Sequence, residues 1–128
     1  MYLPHKIRVL EAAAAVAAGR VKQNEVVSSD GSKVYKVNAD KMWSSDPLTR
    51  FHNTVGYPLI AVLMSKGVLP YNASIGEKLK NVVWSELNKR FKRDYDAVYN
   101  YVKQKYKLQG VDQYVERVLD ALGPLAQK

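Results

Sequence analysis

The residues that could do covalent or metal chemistry are few and scattered. Only two histidines occur, His5 and His52, far apart in the chain and without a spaced set of carboxylates beside either. A metal site would need further ligands at recognisable spacing, and none is visible. The chain of 128 residues has no cysteine, which removes disulfides, thiolate nucleophiles and cysteine-based zinc sites together. No phosphate-binding glycine loop, dinucleotide fingerprint or nucleophile elbow is present. Ser44-Ser45-Asp46 has the residue types of a nucleophile site but reads better as a helix cap. The expectation is a protein that is not an enzyme, with no cofactor, no metal and no small-molecule substrate.

The positive signal is charge. Twenty Lys and Arg stand against 12 Asp and Glu, a formal net charge of +8. Such an excess on a small domain favours polyanions, nucleic acid first and an anionic membrane second. Between Lys78 and Lys107 the basic residues Lys78, Lys80, Lys89, Arg90, Lys92, Arg93, Lys103, Lys105 and Lys107 face only Glu86, Asp94 and Asp96. Lys89-Arg90-Phe91-Lys92-Arg93 is the densest cluster, suited to phosphate contacts that fix position without reading sequence. The tyrosines near it could stack on unpaired bases, although core packing is the commoner fate of helical tyrosine. The alternative reading of the cluster is a solvated helix face.

The elements that must position these residues follow from pattern. Pro4 and the Ala-rich run that follows predict a helix over His5 to Val21, with Gly19 near its end. Its small side chains suit either tight packing or an arm laid in a nucleic-acid groove, with Lys6, Arg8, Arg20 and Lys22 at its ends reaching phosphates. Glu25 to Val37 carries Asp30-Gly31 between short β-branched runs and predicts a hairpin, which must pack on something to persist. Asp46-Pro47 predicts a helix start with Leu48, Phe51 and Val55 on one side, and Pro58 opens an apolar helix closed by Gly67. Ser74-Ile75-Gly76-Glu77 matches a capping box, so a helix is expected from Ile75 to about Arg93. Leu79, Val82, Val83, Leu87 and Phe91 would form its inner face and Lys78, Asn81, Ser85, Asn88, Lys89 and Lys92 an outer stripe without acids. Asp94 or Asp96 should cap a further helix, and Asp112 a last one stopped by Gly123-Pro124. The resulting fold class is mainly α. An N-terminal basic arm, a helix with a small β-hairpin, occupies residues 1–45, and a C-terminal helix bundle occupies residues 46–128.

With a basic N-terminal helix followed by segments such as Ala61-Val62-Leu63, Gly67-Val68, Asn72, Gly76, Leu79, Val83 and a terminal Leu119-Asp120-Ala121-Leu122-Gly123, the chain resembles the major coat proteins of filamentous archaeal viruses, of the rudivirus, lipothrixvirus and tristromavirus type. The likeness covers the last half of the chain and the first half only in plan. It implies a self-associating subunit, or a heterodimer with a paralogous coat subunit, whose N-terminal helices wrap double-stranded DNA. It also implies a place in the virion, and in the host cytoplasm before assembly. The hairpin at Glu25 to Val37 departs from an all-helical arm.

The expected function is therefore a structural virion coat protein that binds linear double-stranded DNA without sequence preference. Its phosphate contacts would be Lys6, Arg8, Arg20, Lys22, Lys78, Lys89, Arg90, Lys92 and Arg93. A DNA-binding transcription regulator with a helix-turn-helix and a hairpin wing is the alternative, and a protein-interaction module whose basic face meets an acidic partner is a third. The Ala12 to Ala18 stretch is too short for a membrane span and lacks the bulk of a signal-peptide core, so a soluble, unprocessed chain without direct membrane attachment is expected.

Overall fold

An alanine-rich helix needs little room around it, and in the computed structural model, which describes residues 1–127, that helix lies at the centre of the molecule. The chain runs α1 (Ile7–Ala17), β1 (Val21–Lys22), β2 (Glu25–Val27), β3 (Val34–Asn38), β4 (Trp43–Ser44), α2 (Pro47–His52), α3 (Tyr57–Ser65), α4 (Ala73–Leu79), α5 (Trp84–Arg90), α6 (Tyr95–Lys105) and α7 (Val111–Ala126). It is mainly α with one small sheet.

Helix α1 is not a free arm. Ile7, Val9, Leu10, Glu11 and Ala12 to Ala15 are all buried, and the helix packs chiefly on α3 and α4. Its small side chains serve close approach. Gly76 of α4 sits so near that a methyl group there would meet the Ala13 carbonyl oxygen at 2.9 Å and the Ala17 methyl at 3.1 Å. The division into an arm over 1–45 and a bundle over 46–128 is accordingly corrected, because both parts share one apolar core that joins Ile7 and Leu10 to Leu59, Leu79, Val98 and Leu122.

The hairpin exists and is larger than expected. Strands β1 to β4 form an antiparallel meander in chain order, with Val27 opposite Val34 and Val37 opposite Ser44. At the tip Gly31 takes φ +77°, a conformation glycine adopts without a Cβ clash. The tip is anchored, since Trp84 N donates to Ser29 Oγ at 2.8 Å and Ser85 Oγ to Asp30 Oδ2 at 3.2 Å.

Asp46 caps α2 as read, accepting from Leu48 N at 3.1 Å, although Phe51 is left 68% exposed. Helix α3 is buried on nearly every side and followed by Gly67, again as read. Three boundaries differ. The cap of α4 is Asn72, whose Oδ1 accepts from Ile75 N at 3.0 Å, while Ser74 is exposed inside the helix. The single helix expected from Ile75 to Arg93 is broken at residues 80–83. Val82 within the break and Trp84 at the start of α5 are both buried. Helix α7 starts after Gly110 rather than at Asp112 and runs through Gly123-Pro124 to Ala126. Pro124 falls in the last turn, where Leu122 and Ala126 remain buried and hold the helix in place. Asp94 caps α6 by accepting from Ala97 N at 3.1 Å.

Candidate functional site

The densest basic cluster lies at the end of a short helix, and the backbone there explains its shape. Lys92 N donates to Lys89 O at 3.0 Å and Arg93 N to Asn88 O at 2.8 Å, with Lys92 and Arg93 both at positive φ. This is a Schellman ending, and cations suit it because the helix terminus carries partial negative charge. The chain reversal also separates the side chains. Lys89 and Arg93 line one cleft, whereas Arg90 turns to another groove, its guanidinium carbon 5.1 Å from the Tyr101 ring centroid. The outer stripe expected along one long helix is thereby divided.

The cleft occupied by Lys89 and Arg93 has a volume of about 640 Å3 and is completed from the other end of the sequence. Arg8 of α1, Tyr35 of β3, Tyr57 of α3 and Tyr95 of α6 line it. Arg8 Nη1 donates to Glu11 Oε1 at 2.7 Å, and the guanidinium carbon lies 4.5 Å from the Tyr95 ring centroid. Burial opposes the Arg8 charge most strongly, but the Glu11 carboxylate and the Tyr95 hydroxyl together more than offset it, and the pKa is raised. Glu11 is only 3% exposed and is held on its second oxygen by Asn88 Nδ2 at 3.3 Å. Tyr35 and Tyr57 meet edge to face, with centroids 6.1 Å apart. Burial pushes both phenols up, so they stay neutral donors at physiological pH.

Of the nine residues read as phosphate contacts, three meet here: Arg8, Lys89 and Arg93. The others are dispersed. Lys6 rests 4.2 Å from the Tyr99 ring centroid, and Lys78 Nζ donates to the Lys107 carbonyl at 3.0 Å. Lys22 is exposed on the edge strand β1, and Lys92 is exposed beyond α5. Arg20 is a correction. It is half-buried and donates to the Val27 carbonyl at 2.8 Å, bracing the sheet against the end of α1.

The histidines have structural partners or none. His5 Nδ1 accepts from Ile7 N at 3.0 Å, which puts the ring proton on Nε2, 2.7 Å from Asp96 Oδ1. His52 is exposed, and no group of three metal-capable side chains occurs among the described residues. Ser44 Oγ donates to Asp46 within the cap of α2, as the cap reading requires. What sequence reasoning missed is Tyr35 and Tyr57 in the cleft lining and the buried Glu11 that holds Arg8 there. Arg8 and Glu11 are three apart and share a helix face, a signal that was available, but the burial of the pair was not.

A family model described as uncharacterised conserved protein UCP014422 matches residues 1–128. No curated protein and no solved structure matches the chain.

Proposed function

The chain belongs to that family, and for it we propose a non-enzymatic role in binding nucleic acid by its phosphate backbone at the cleft of Arg8, Lys89 and Arg93. The observation that carries this reading is the convergence of those cations from opposite ends of the sequence on one open cleft. The acids beside it are already engaged. Glu11 and Arg8 neutralise one another and Asp46 is buried in the cap of α2, which leaves the exposed charges of Lys89 and Arg93 in excess. Charge left over on such a surface attracts phosphate through counterion release, without regard to base sequence.

A virion coat role extends the reading to many copies lying side by side on linear double-stranded DNA, self-associated or paired with a paralogous subunit. Because α1 is core, the DNA contacts of such a coat would fall on the cleft face rather than on a projecting arm. The winged regulator has less support, since the hairpin tip is held against α5 and is not free to enter a groove. No helix among the described residues is long and apolar enough to cross a membrane.

The test is the salt dependence of duplex binding. Each lost phosphate contact removes about 0.9 from the slope of log affinity against log salt, so Lys89→Ala with Arg93→Ala should lower it by about 1.8. The change should be alike for unrelated duplexes, and Arg90→Ala should leave it unaltered. An unchanged slope in the folded double variant would remove the cleft from the interface. Electron microscopy of the protein with long linear duplex then separates a continuous coat from protection of single sites.

A further inference from the structure

The groove that receives Arg90 is separate from the cleft of Arg8, Lys89 and Arg93. It has a volume of about 300 Å3 and runs between α5 and the second half of α6. Its wall is apolar, formed by Val82, Val83, Leu87 and Tyr106, and all but Val82 keep part of their surface in solvent. Two cations from different helices converge there on one phenol. The Arg90 guanidinium carbon lies 5.1 Å, and Lys105 Nζ 5.4 Å, from the Tyr101 ring centroid. They hold the phenol below its ordinary pKa against the opposing effect of burial, the hydrogen-bonding Lys105 ammonium first and Arg90 after it. Among the described residues neither cation forms an ion pair, although Glu86 lines the same groove four residues before Arg90. A ring face attracts a cation but leaves most of its N–H donors unmet. Like charges gathered on one ring also repel, and an anion between them would turn that repulsion into attraction.

Charge and shape select the anion. Arg90 and Lys105 against Glu86 leave one positive charge in excess, which suits a monoanion rather than a polyphosphate. The planar guanidinium matches the two oxygens of a carboxylate, and the ammonium and the phenol supply further donors. The apolar wall takes a hydrocarbon body beside the charge, and the volume, at the lower end of small-molecule sites of about 300–1,000 Å3, limits it to a short one. We propose that the α5–α6 groove binds an apolar monocarboxylate, its carboxylate at Arg90, Tyr101 and Lys105 and its hydrocarbon chain along Val83, Leu87 and Tyr106. A free aliphatic acid and the carboxyl end of a peptide offer the same chemistry. The site is independent of the phosphate reading, because neither Arg90 nor Lys105 lines the other cleft.

Titration of the isotope-labelled full chain, followed by backbone amide shifts at constant ionic strength, tests it with hexanoate, hexanamide, acetate, inorganic phosphate and the peptide acetyl-alanyl-leucine. Hexanoate or the peptide should shift the amides of Val83, Leu87, Tyr101 and Lys105 saturably. On the unaltered chain hexanamide should bind about tenfold more weakly than hexanoate, because it lacks the charge. Acetate should also bind about tenfold more weakly, because it leaves the apolar wall bare. Arg90→Gln with Lys105→Gln, both at exposed positions, should abolish the hexanoate shifts while the rest of the spectrum stays in place. Tighter binding of hexanoate than of the peptide assigns the groove to a free acid, and the reverse order assigns it to a chain end. Equal binding of hexanoate and acetate or hexanamide, tighter binding of phosphate at these amides, or hexanoate shifts that persist in the double variant would overturn the proposal. So would the absence of a saturable shift with both hexanoate and the peptide.

Discussion

Asp30 shows how much order one exposed side chain can hold. Its Oδ1 accepts from Ser28 Oγ at 2.8 Å, Ser32 N at 2.9 Å and Ser32 Oγ at 2.6 Å, and Oδ2 accepts from Ser85. These donors, the Ser32 hydroxyl first, favour the ionised form and hold the carboxyl well below the usual range. A carboxyl whose folded pKa is depressed contributes stability that is present above its unfolded pKa and lost as pH falls through the folded value. Stability should therefore decline on acidification below about pH 4, the unfolded aspartate value. Asp30→Asn keeps the shape but not the charge and should flatten that acid limb. Urea unfolding at a series of pH values checks it, and superimposable profiles for the two proteins would refute the role. Asp30-Gly31 was legible as a turn because its contacts to Ser28 and Ser32 are local. The bond from Ser85 spans 55 residues and was not. The same holds for the cleft: Lys89 and Arg93 stood out by type, whereas Tyr35 and Tyr57 gave no signal until the fold brought them to Arg8.

The caps illustrate the element scale. Asn72 and Ser74 are both good N-cap residues, and Glu77 three after Ser74 favoured the latter from pattern alone. A contact from outside the element decides it. Tyr114 of α7 donates its hydroxyl to the Pro70 carbonyl at 2.9 Å and accepts from Asn72 N at 3.2 Å, which fixes the loop so that Asn72 precedes the first turn. Glu77 is left to pair with Lys80 at 2.9 Å on the surface. Asn72→Ala should lower stability by about 1 kcal/mol, and Ser74→Ala should change it little, both read from the urea midpoint at unchanged slope. The reverse order would return the start of the helix to Ser74. At the break between α4 and α5 another contact from outside holds the start of α5, where Trp84 N donates to Ser29 Oγ of the hairpin.

At the scale of the whole molecule the decisive feature is where α1 lies. Removing Met1 to Lys22 would strip the helix that contacts α3, α4, α6 and α7 and expose the faces it covers. The truncated chain should lose its cooperative unfolding transition and its near-ultraviolet dichroism; a folded remainder would mean that the bundle has a core of its own. A bundle over residues 46–128 beside an N-terminal arm was the expectation, and it overlooked what a helix of alanines contributes. What the sequence by itself determined is the kind of elements and the net charge. A largely helical chain, a turn at Asp30-Gly31, a cap at Asp46 and another at Asp94 or Asp96, the absence of cysteine chemistry and a cationic excess are all local or compositional properties. What only the tertiary structure decided is which of two roles α1 takes, where the long helix breaks and which cations converge. Alanine is equally at home in a groove or in a core, and its choice depends on whether neighbours such as Gly76 let a backbone approach. Convergence of Arg8 with Lys89 and Arg93 depends on packing between residues some 80 apart, and no periodicity in the chain encodes it.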